Sequence, residues 1–344
     1  MTSSPVSWSF LTEKLLAGLD LERAEIQAAM QDILGGQSDI ESVKSFLLAL
    51  KAKGETSEEV GALVEVMYAN AAPISIAERA VDTVGTGGDG AHTINISTTA
   101  AIIAAAAGAR VVKHGNRAAT SQSGAADVLE ALGVKIDLNG FQVAQLVREI
   151  GLGFCFAPMF HSAMRHAGPA RKSLGYPTIF NILGPLSNPA KPSAYAIGVA
   201  KVEMFPIVAE VLRSRGVDAL VFRGNDGLDE ISLSTPTQVF VISAGKITQT
   251  EINPQNLGIP HRSIDELRGG SAQENAEHLR AILSGKKGAM RDVVLLNGAA
   301  TLIAYQGFTA DVESENLEER FSLALQRIEE AIDSGAASAL LNSW

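Results

Sequence analysis

The sequence predicts an α/β fold with a mostly parallel central sheet flanked by helices, plus a small all-helical N-terminal domain. Helix signals alone fill the first 70 residues, and from about residue 79 short β-branched runs alternate with helical segments. With 344 residues, of which 46% are hydrophobic and 19% charged, the chain is long enough for two globular domains. We expect a helical domain over 1–75, joined by part of 160–192, and an α/β domain over 76–344.

Capping signals predict the helices of the N-terminal domain. Asp20 is expected to cap a helix that stops at Gly35-Gly36. Ser38-Asp39-Ile40-Glu41 predicts a capping box whose helix ends near Gly54. A second box, Thr56-Ser57-Glu58-Glu59, predicts a helix that runs to about Ala69.

In the α/β part, β-branched runs predict strands and apolar periodicity predicts helices. The predicted strands cover 80–84, 110–113, 154–157, 194–199 and 218–222, followed by a hairpin of 239–243 and 246–251 joined through Ala244-Gly245. The predicted helices cover 97–107, 123–132, 140–150, 202–215, 272–284, 288–306 and 315–335. The Pro- and Gly-rich segment 158–192 is expected to cross back between the domains.

Charge and composition exclude several classes of protein. The net charge of −10 argues against a nucleic-acid or membrane-surface binder, since such proteins present a basic face. No signal peptide is visible and the Ala-rich run 99–109 is too short to span a bilayer, so we expect a cytoplasmic protein. The single cysteine, Cys155, excludes an internal disulfide and a cysteine-based zinc site, and its apolar surroundings predict a buried side chain.

The stretch Gly85-Thr86-Gly87-Gly88-Asp89-Gly90 predicts an anion-binding loop. Four glycines let backbone approach a ligand closely, and the Ser/Thr-rich helix start after it offers amide donors to a phosphate. The stretch also fits the dinucleotide pattern G-x-G-x-x-G. That interpretation is disfavoured because the helix is expected to start only near Ser97 and the next strand ends in basic residues instead of an acidic one. A tight turn without a ligand is the remaining alternative.

A second polar cluster follows the next predicted strand and contains Lys113-His114-Gly115-Asn116-Arg117 and Thr120-Ser121-Gln122-Ser123-Gly124. Because ligands bind at the carboxyl ends of parallel strands, this cluster and the glycine-rich loop are expected to face one crevice. Lys113 and Ser121 are suited to holding a phosphate there. A solvated basic loop is the alternative.

Two further features suggest a metal and a carboxylate. The segment Gly224-Asn225-Asp226-Gly227-Leu228-Asp229-Glu230 places adjacent carboxylates after a strand, where they repel each other unless a cation such as Mg²⁺ is present. An ordinary acidic turn is the alternative. Arg171 offers a fork for a carboxylate, although an arginine of this kind is commonly a surface residue. No nucleophile motif is present, which favours catalysis by positioning and charge stabilisation.

These residues resemble the anthranilate phosphoribosyltransferase family over nearly the whole chain. The matching blocks, in the family's order, are 82–90, 95–98, 113–117, Asn181-Ile182-Leu183-Gly184-Pro185-Leu186-Ser187-Asn188-Pro189 and 226–230. The resemblance implies a homodimer formed through the helical part. It also implies Mg²⁺-dependent transfer of phosphoribose from 5-phosphoribosyl 1-diphosphate to the amine of anthranilate, a step of tryptophan biosynthesis. No acid or base is assigned, because the aniline-type amine is neutral at pH 7.

The resemblance also implies roles for individual residues. Phosphoribosyl diphosphate would be held by Gly85, Gly88, Asp89, Thr93, Asn95, Ile96, Ser97, Thr98, Lys113, His114, Gly115, Asn116, Arg117, Ala118, Ala119, Thr120, Ser121 and Ala125. Anthranilate would contact Gly85, His114, Asn116, Pro158, His161 and Arg171. Mg²⁺ would be held by Ser97, Asp229 and Glu230.

The sequence departs from the family's usual pattern at three positions. Gln122 stands where a basic residue is common, Ala125 where a serine is common, and Arg223 where histidine is expected. We expect these departures to affect substrate affinity. Two alternatives remain open at this point: a pyrimidine nucleoside phosphorylase of the same fold, and a nucleic-acid-binding relative, which the net charge of −10 opposes.

Overall fold

Four helices precede the first strand in the computed structural model, which describes residues 6–118, 122–308 and 316–344. They are α1 (Trp8–Leu16), α2 (Arg23–Gly35), α3 (Ile40–Lys53) and α4 (Ser57–Ala69). The capping box predicted for α4 is confirmed: the Thr56 hydroxyl accepts from the Glu59 amide at 3.2 Å, and the Glu59 carboxylate accepts from the Thr56 amide at 2.9 Å.

Two predicted caps are wrong because their side chains have other partners. The N-cap of α2 is Glu22, since the Asp20 carboxylate accepts from the ammonium of Lys53 at 2.6 Å. The N-cap of α3 is Asp39, whose carboxylate accepts from the Ser42 amide at 3.0 Å. The Ser38 hydroxyl instead donates to Asp32 at 2.6 Å. In both places the side chain that was predicted to cap the helix instead bonds to a residue outside the helix start.

The sheet contains seven strands in the order β3-β2-β1-β4-β5-β6-β7. The strands β1 to β5 run parallel, and β6 and β7 form an antiparallel hairpin at one edge. Their bounds are Val81–Gly85, Val111–Gly115, Leu152–Phe156, Ala194–Gly198, Asp218–Gly224, Thr237–Ser243 and Lys246–Ile252. The predicted, mostly parallel sheet is therefore confirmed, with most strand ends shifted by one or two residues.

Helices cover the sheet and the carboxyl end of its strands. After β1 the chain forms α5 (Ile96–Ala106), α6 (Ala125–Ala131), α7 (Gly140–Ile150), α8 (Ala157–Phe160), α9 (Gly168–Leu174), α10 (Phe180–Leu186), α11 (Met204–Ser214), α12 (Ala272–Leu283), α13 (Ala289–Gln306), α14 (Leu317–Asp333) and α15 (Ala336–Ser343). Short 3-10 helices cover Ser162–Ala167, Pro254–Leu257 and Ile264–Leu267. The segment 158–192, predicted only as a crossing, is thus largely helical.

The core forms two large apolar clusters, one on each face of the sheet. One face packs against α5, α13 and α14, with Val81 and Leu220 among its buried residues. The other packs against α11, and its cluster continues without interruption through α9 and α10 into α1 to α4. The helical segment therefore rests on the α/β part through a shared core, and the domain boundary at residue 75 stays a prediction.

The strand order has its switch point between β1 and β4. The chain leaves β1 towards β2 and β3 on one side and returns through β4 on the other side, so connections diverge at the β1–β4 pair. In open parallel sheets ligands bind at this switch point, outside the carboxyl ends of the strands. Gly85 pairs with Gly198 there, and each lies directly against Asp229.

We expect Gly198→Ala to destabilise the protein. A Cβ atom at this position would overlap the backbone carbonyl of Asp229, so β4 or the acidic segment must move. Overpacking of this kind costs about 1–3 kcal/mol, measured as the free energy of unfolding in urea. Gly61→Ala is the control, because a Cβ on α4 meets open space and Ala favours the helix. Equal stability of the two variants would contradict the close approach.

Candidate active site

A cleft of about 930 Å³ lies over the carboxyl ends of β1 and β2. Its walls come from the β1–α5 loop, the β2–α6 loop, the segment from α8 to α10, and the acidic pair Asp229 and Glu230. Polar groups thus converge from parts of the chain that are as far apart in sequence as Gly87 and Asp229, which are 142 positions from each other. A cavity of this size accommodates small-molecule substrates.

The glycine-rich loop has the backbone that its sequence predicts. Gly87, Gly88 and Gly90 have φ values of 68°, 84° and 75°, a region that residues with a side chain rarely adopt. A Cβ at Gly85 would overlap the carboxylate of Asp229. The Gly87 amide donates to that carboxylate at 2.6 Å. The glycines therefore serve both the left-handed turns and the close approach of the acidic segment.

The helix α5 begins shortly after this loop and brings its amino terminus to the cleft. Asn95 is the N-cap residue, but its side chain makes no capping hydrogen bond. Ile96 and Ser97, the first residues of the helix, line the cleft. Partial positive charge at a helix amino terminus favours an anion at this position.

Two buried charged side chains, Asp82 and Lys113, support the cleft floor. The ammonium of Lys113, 1% exposed, donates to Thr83 O at 2.5 Å and to Ser97 Oγ at 3.2 Å. Burial raises the pKa of Asp82 to about 6, against the opposing effect of Lys113 and of the hydrogen bond from Asn188. Burial also lowers the pKa of Lys113. The Lys113 side chain therefore bonds to β1 and α5, whereas its position in the sequence predicted that it belongs with the second polar cluster.

The second loop is organised by α6. The Asp127 carboxylate accepts from the amides of Ala118 and Gly124 at 2.9 and 2.8 Å. The guanidinium of Arg117 pairs with Asp127 and Glu130 on that helix, and Arg117 also lines the cleft. Asp127 was not predicted as a site residue, although its position three residues after Gly124 is a capping signal. The predicted residues 119–121 lie outside the described residues.

Two neutral histidines form one wall. The rings of His114 and His161 meet edge to face with centroids 5.2 Å apart. Their Nδ1 and Nε2 atoms, respectively, donate to the carbonyls of Gly184 and Ser187 at 3.0 and 2.9 Å. Burial lowers the pKa of His114 to about 3 and also lowers that of His161. The buried Nε2 of His114 has no partner among the described residues, which leaves an acceptor for a bound molecule.

Arg171, on α9, also lines the cleft. Its guanidinium lies over the Phe180 ring, 5.5 Å from the centroid, and burial lowers its pKa. No carboxylate of the described chain pairs with it. A half-buried, unpaired guanidinium in a cleft is suited to binding a carboxylate from outside the protein.

The acidic pair, Asp229 and Glu230, also lines the cleft. Burial raises the pKa of Asp229 to about 8, with Asp89 adding to the effect. Burial also raises the pKa of Glu230, helped by Asp229 and opposed by Lys113 and by a hydrogen bond from the Ser97 amide. A cation would relieve this repulsion. Among the described residues no group of three or more His, Cys, Asp or Glu side chains could hold a metal ion. The oxygens present fit Mg²⁺, which commonly takes one or two carboxylates and completes its shell with phosphates and waters.

Most of the predicted site residues line this one cleft. They are Gly85, Gly88, Asp89, Thr93, Asn95, Ile96, Ser97, Lys113, His114, Gly115, Asn116, Arg117, Ala118, Ala125, Pro158, His161, Arg171, Asp229 and Glu230. Thr98 does not line it, because its side chain is buried within the fold. Arg165, Phe180 and Asn181 also line the cleft and were not predicted as site residues, although Asn181 begins one of the blocks that carry the family resemblance.

The three departures from the family pattern lie close to the cleft. Gln122 is exposed and Ala125 lines the cleft wall. Arg223 donates to the carbonyls of Ala200 and Gly224 at 2.9 and 3.3 Å, which fixes it behind the acidic segment.

No helix among residues 6–118, 122–308 and 316–344 is long and apolar enough to cross a membrane.

Comparison with known proteins agrees with this geometry. Residues 77–338 match a profile described as the a/b domain of a glycosyl transferase family, and residues 10–71 match the helical bundle domain of that family. An anthranilate phosphoribosyltransferase from Arthrobacter sp. (strain FB24) is 50% identical over 98% of this chain and 95% of its own. One from Rhodococcus jostii (strain RHA1) is 48% identical over 98% of this chain and 92% of its own.

Solved structures show the same likeness. The anthranilate phosphoribosyltransferase of Thermus thermophilus superposes with a TM-score of 0.86 at 37% identity, covering 97% of each chain. The Saccharomyces cerevisiae enzyme, in complex with PRPP and Mg, gives a TM-score of 0.88 at 29% identity over 98% of this chain and 97% of its own. These relatives do not favour a nucleoside phosphorylase or a nucleic-acid-binding protein. The chain belongs to the anthranilate phosphoribosyltransferase family.

Proposed function

We propose that the chain transfers the phosphoribosyl group of 5-phosphoribosyl 1-diphosphate to the amine of anthranilate, which gives N-(5-phosphoribosyl)anthranilate and diphosphate. This is the second step of tryptophan biosynthesis from chorismate. One observation carries the proposal: a single cleft is lined by a glycine-rich loop, an acidic pair and the unpaired Arg171. The yeast relative is known in complex with PRPP and Mg and with 4-fluoroanthranilate.

At the donor end, the backbone of residues 85–90 and the amino terminus of α5 hold the diphosphate. Amide donors fixed by the left-handed glycines need no reorganisation as negative charge develops on the leaving group. The loop that contains Gly115, Asn116 and Ala118 holds the 5-phosphate side, chiefly through backbone groups, because the Arg117 guanidinium is held by α6. We assign Ser121 to the same side on the family resemblance.

Asp229, Glu230 and the hydroxyl of Ser97 would hold Mg²⁺. When bound, the ion neutralises part of the charge of the diphosphate. Asp229 is fixed for this role by the Gly87 amide, and the Ser97 hydroxyl is oriented by the Lys113 ammonium. The raised pKa values of both carboxylates mean that they bind protons readily without a cation, so metal and protons compete for the pair.

At the acceptor end, Arg171 binds the carboxylate of anthranilate, and His114, Asn116, Pro158 and His161 form the wall against which the ring lies. The amine attacks in its neutral form and needs no base beforehand. A neutral His114 offers its unpartnered Nε2 as an acceptor without adding positive charge near the developing oxocarbenium carbon. Catalysis rests on positioning and charge stabilisation.

The chain is expected to work as a homodimer formed through its helical part. Phe10, Leu16, Leu19, Ile40 and Leu48 are large apolar side chains exposed on or beside α1 and α3, with Leu16 at 69% and Leu19 at 56%. Such a concentration on one small part of a chain is typical of a surface covered in an assembly. Sedimentation equilibrium measures the mass, and a monomer at micromolar concentration would refute this expectation. The cytoplasmic location also stays a prediction.

The activity is tested by mixing the protein with anthranilate, 5-phosphoribosyl 1-diphosphate and Mg²⁺, with EDTA as the control. Metal-dependent loss of anthranilate fluorescence is the expected result. Unchanged fluorescence with folded protein would refute the function. A phosphorolysis assay on thymidine and uridine would then follow.

Arg171→Ala is expected to raise KM for anthranilate by about 10- to 100-fold, since a charge-assisted hydrogen bond contributes roughly 1.5–3 kcal/mol. KM for the phosphoribosyl donor should change little, because Arg171 belongs to α9 and not to the glycine-rich loop, the second loop or the acidic pair that hold the donor. Initial rates at varied concentrations of each substrate measure both constants. Lys172→Ala is the matched control, since it removes an exposed cation from the same helix. Equal increases in the two constants would disprove the carboxylate assignment.

Asp229→Asn combined with Glu230→Gln should abolish the response of the rate to Mg²⁺, because amide oxygens carry no charge to hold the ion. The control is Asp265→Asn with Glu266→Gln, an adjacent acidic pair that is exposed on the surface. Titration of each double variant with MgCl₂ is the measurement. A normal titration of the first variant would show that its acidic pair is only a turn.

A further inference from the structure

Asn95 lies between the glycine-rich loop and the second loop, and its side chain has hydrogen-bond partners that are unusual for an N-cap residue. It is the N-cap of α5, where an asparagine side chain ordinarily accepts from the second or third amide of the helix. Here it makes no such bond. Its amide instead joins two other parts of the chain: Nδ2 donates to Ser123 O of the second loop at 3.1 Å, and Oδ1 accepts from Nδ2 of Asn275 at 2.8 Å.

The orientation of both amides is fixed from the two ends of this hydrogen-bond chain. The Gly270 amide donates at 2.8 Å to Asn275, so the atom that accepts there is Oδ1. The Nδ2 atom of Asn275 then donates to Asn95, so the Asn95 atom that accepts is Oδ1. That leaves Nδ2 of Asn95 for the Ser123 carbonyl, which only accepts. This hydrogen-bond chain begins at the Gly270 amide, which can only donate, and ends at the Ser123 carbonyl, which can only accept. These two backbone groups therefore determine every donor and acceptor between them.

Asn275 is otherwise remote from the chemistry. It lies near the start of α12, is 3% exposed, and does not line the cleft. The chain just before it is joined to the glycine-rich loop through backbone bonds: Gly269 N donates to His92 O, and Ile94 N donates to Leu267 O, each at 2.9 Å. The segment 267–275 therefore backs the loop that leads into α5.

We propose that Asn275 is a positioning residue for the phosphoribosyl donor, acting through Asn95. It holds the Asn95 amide in register between the two loops, and it keeps Oδ1 of Asn95 away from the amides of Ser97 and Thr98. Those amides then make no bond to the Asn95 side chain, and Ser97 lines the cleft that the anionic groups of the donor would enter. This inference rests on the proposed function.

The decisive variant is Asn275→Asp. It keeps an oxygen for the Gly270 amide but faces Oδ1 of Asn95 with a second oxygen, so the Asn95 amide must turn and lose its bond to Ser123. Asn275→Ala removes both bonds and frees Asn95 to cap α5. Gln273→Ala is the matched control, because it removes an exposed amide from the same helix.

We expect Asn275→Asp and Asn275→Ala to raise KM for the donor about five- to tenfold, the effect of one misplaced hydrogen bond, and to leave KM for anthranilate within about twofold. The affinity for Mg²⁺-diphosphate, measured by calorimetry without turnover, should fall by the same factor. Gln273→Ala should match the unsubstituted protein in all three. A thermal melt shows whether each variant is folded. If Asn275→Ala does not fold, the result for Asn275→Asp decides the test.

Each other result has a distinct meaning. If the unsubstituted protein does not consume anthranilate, the proposed function fails, whatever Asn275 does. If it is active and Asn275→Asp leaves donor KM and diphosphate affinity unchanged, the positioning role is overturned. A fall in kcat with both KM values unchanged also overturns it, since that result describes a general structural defect.

Discussion

The burial of two opposite charges, Asp82 and Lys113, is the constraint on which the site depends. A charge removed from water is costly unless other groups compensate it, and each of these side chains reaches several elements to find partners. The Asp82 carboxylate accepts from the His114 amide at 3.1 Å and from Asn188 at 2.9 Å. The Lys113 ammonium joins β1 to α5. Together they fix the ends of β1 and β2, the segment after α10 and the first turn of α5, which surround the cleft.

Charge varies within the cleft because its buried groups have different partners. Near Lys113 and the amino terminus of α5, positive potential tolerates the clustered carboxylates of Asp229 and Glu230. His114 and His161 stay neutral because burial disfavours their protonated forms. The half-buried guanidinium of Arg171 lines the same cleft and supplies a positive charge suited to a substrate that carries a carboxylate.

Local sequence signals succeeded where a residue's partners lie within a few positions of it. The Thr56–Glu59 capping box and the left-handed glycines of 85–90 have their cause in the next few residues, so the pattern predicts the structure. Asp20 and Ser38 carry equally good signals, yet their side chains are occupied by Lys53 and Asp32. The ion pairs of Arg117 with Asp127 and Glu130 of α6 were not predicted either, and its role towards a phosphate stays a prediction.

By itself the sequence determined the fold class, through strand and helix patterns that alternate along the chain, and the family, through short contiguous motifs. The glycine-rich loop and the acidic pair are visible in the sequence for the same reason, since each consists of neighbouring residues. Only the tertiary structure decided which partners those residues have. The residues around Asn95 do not predict its hydrogen bond to Asn275, because 180 positions separate the two. The residues around Lys113 likewise do not predict that its ammonium bonds to Ser97. Such contacts depend on how a parallel sheet brings distant strand ends together, and strand order is a property of the whole chain.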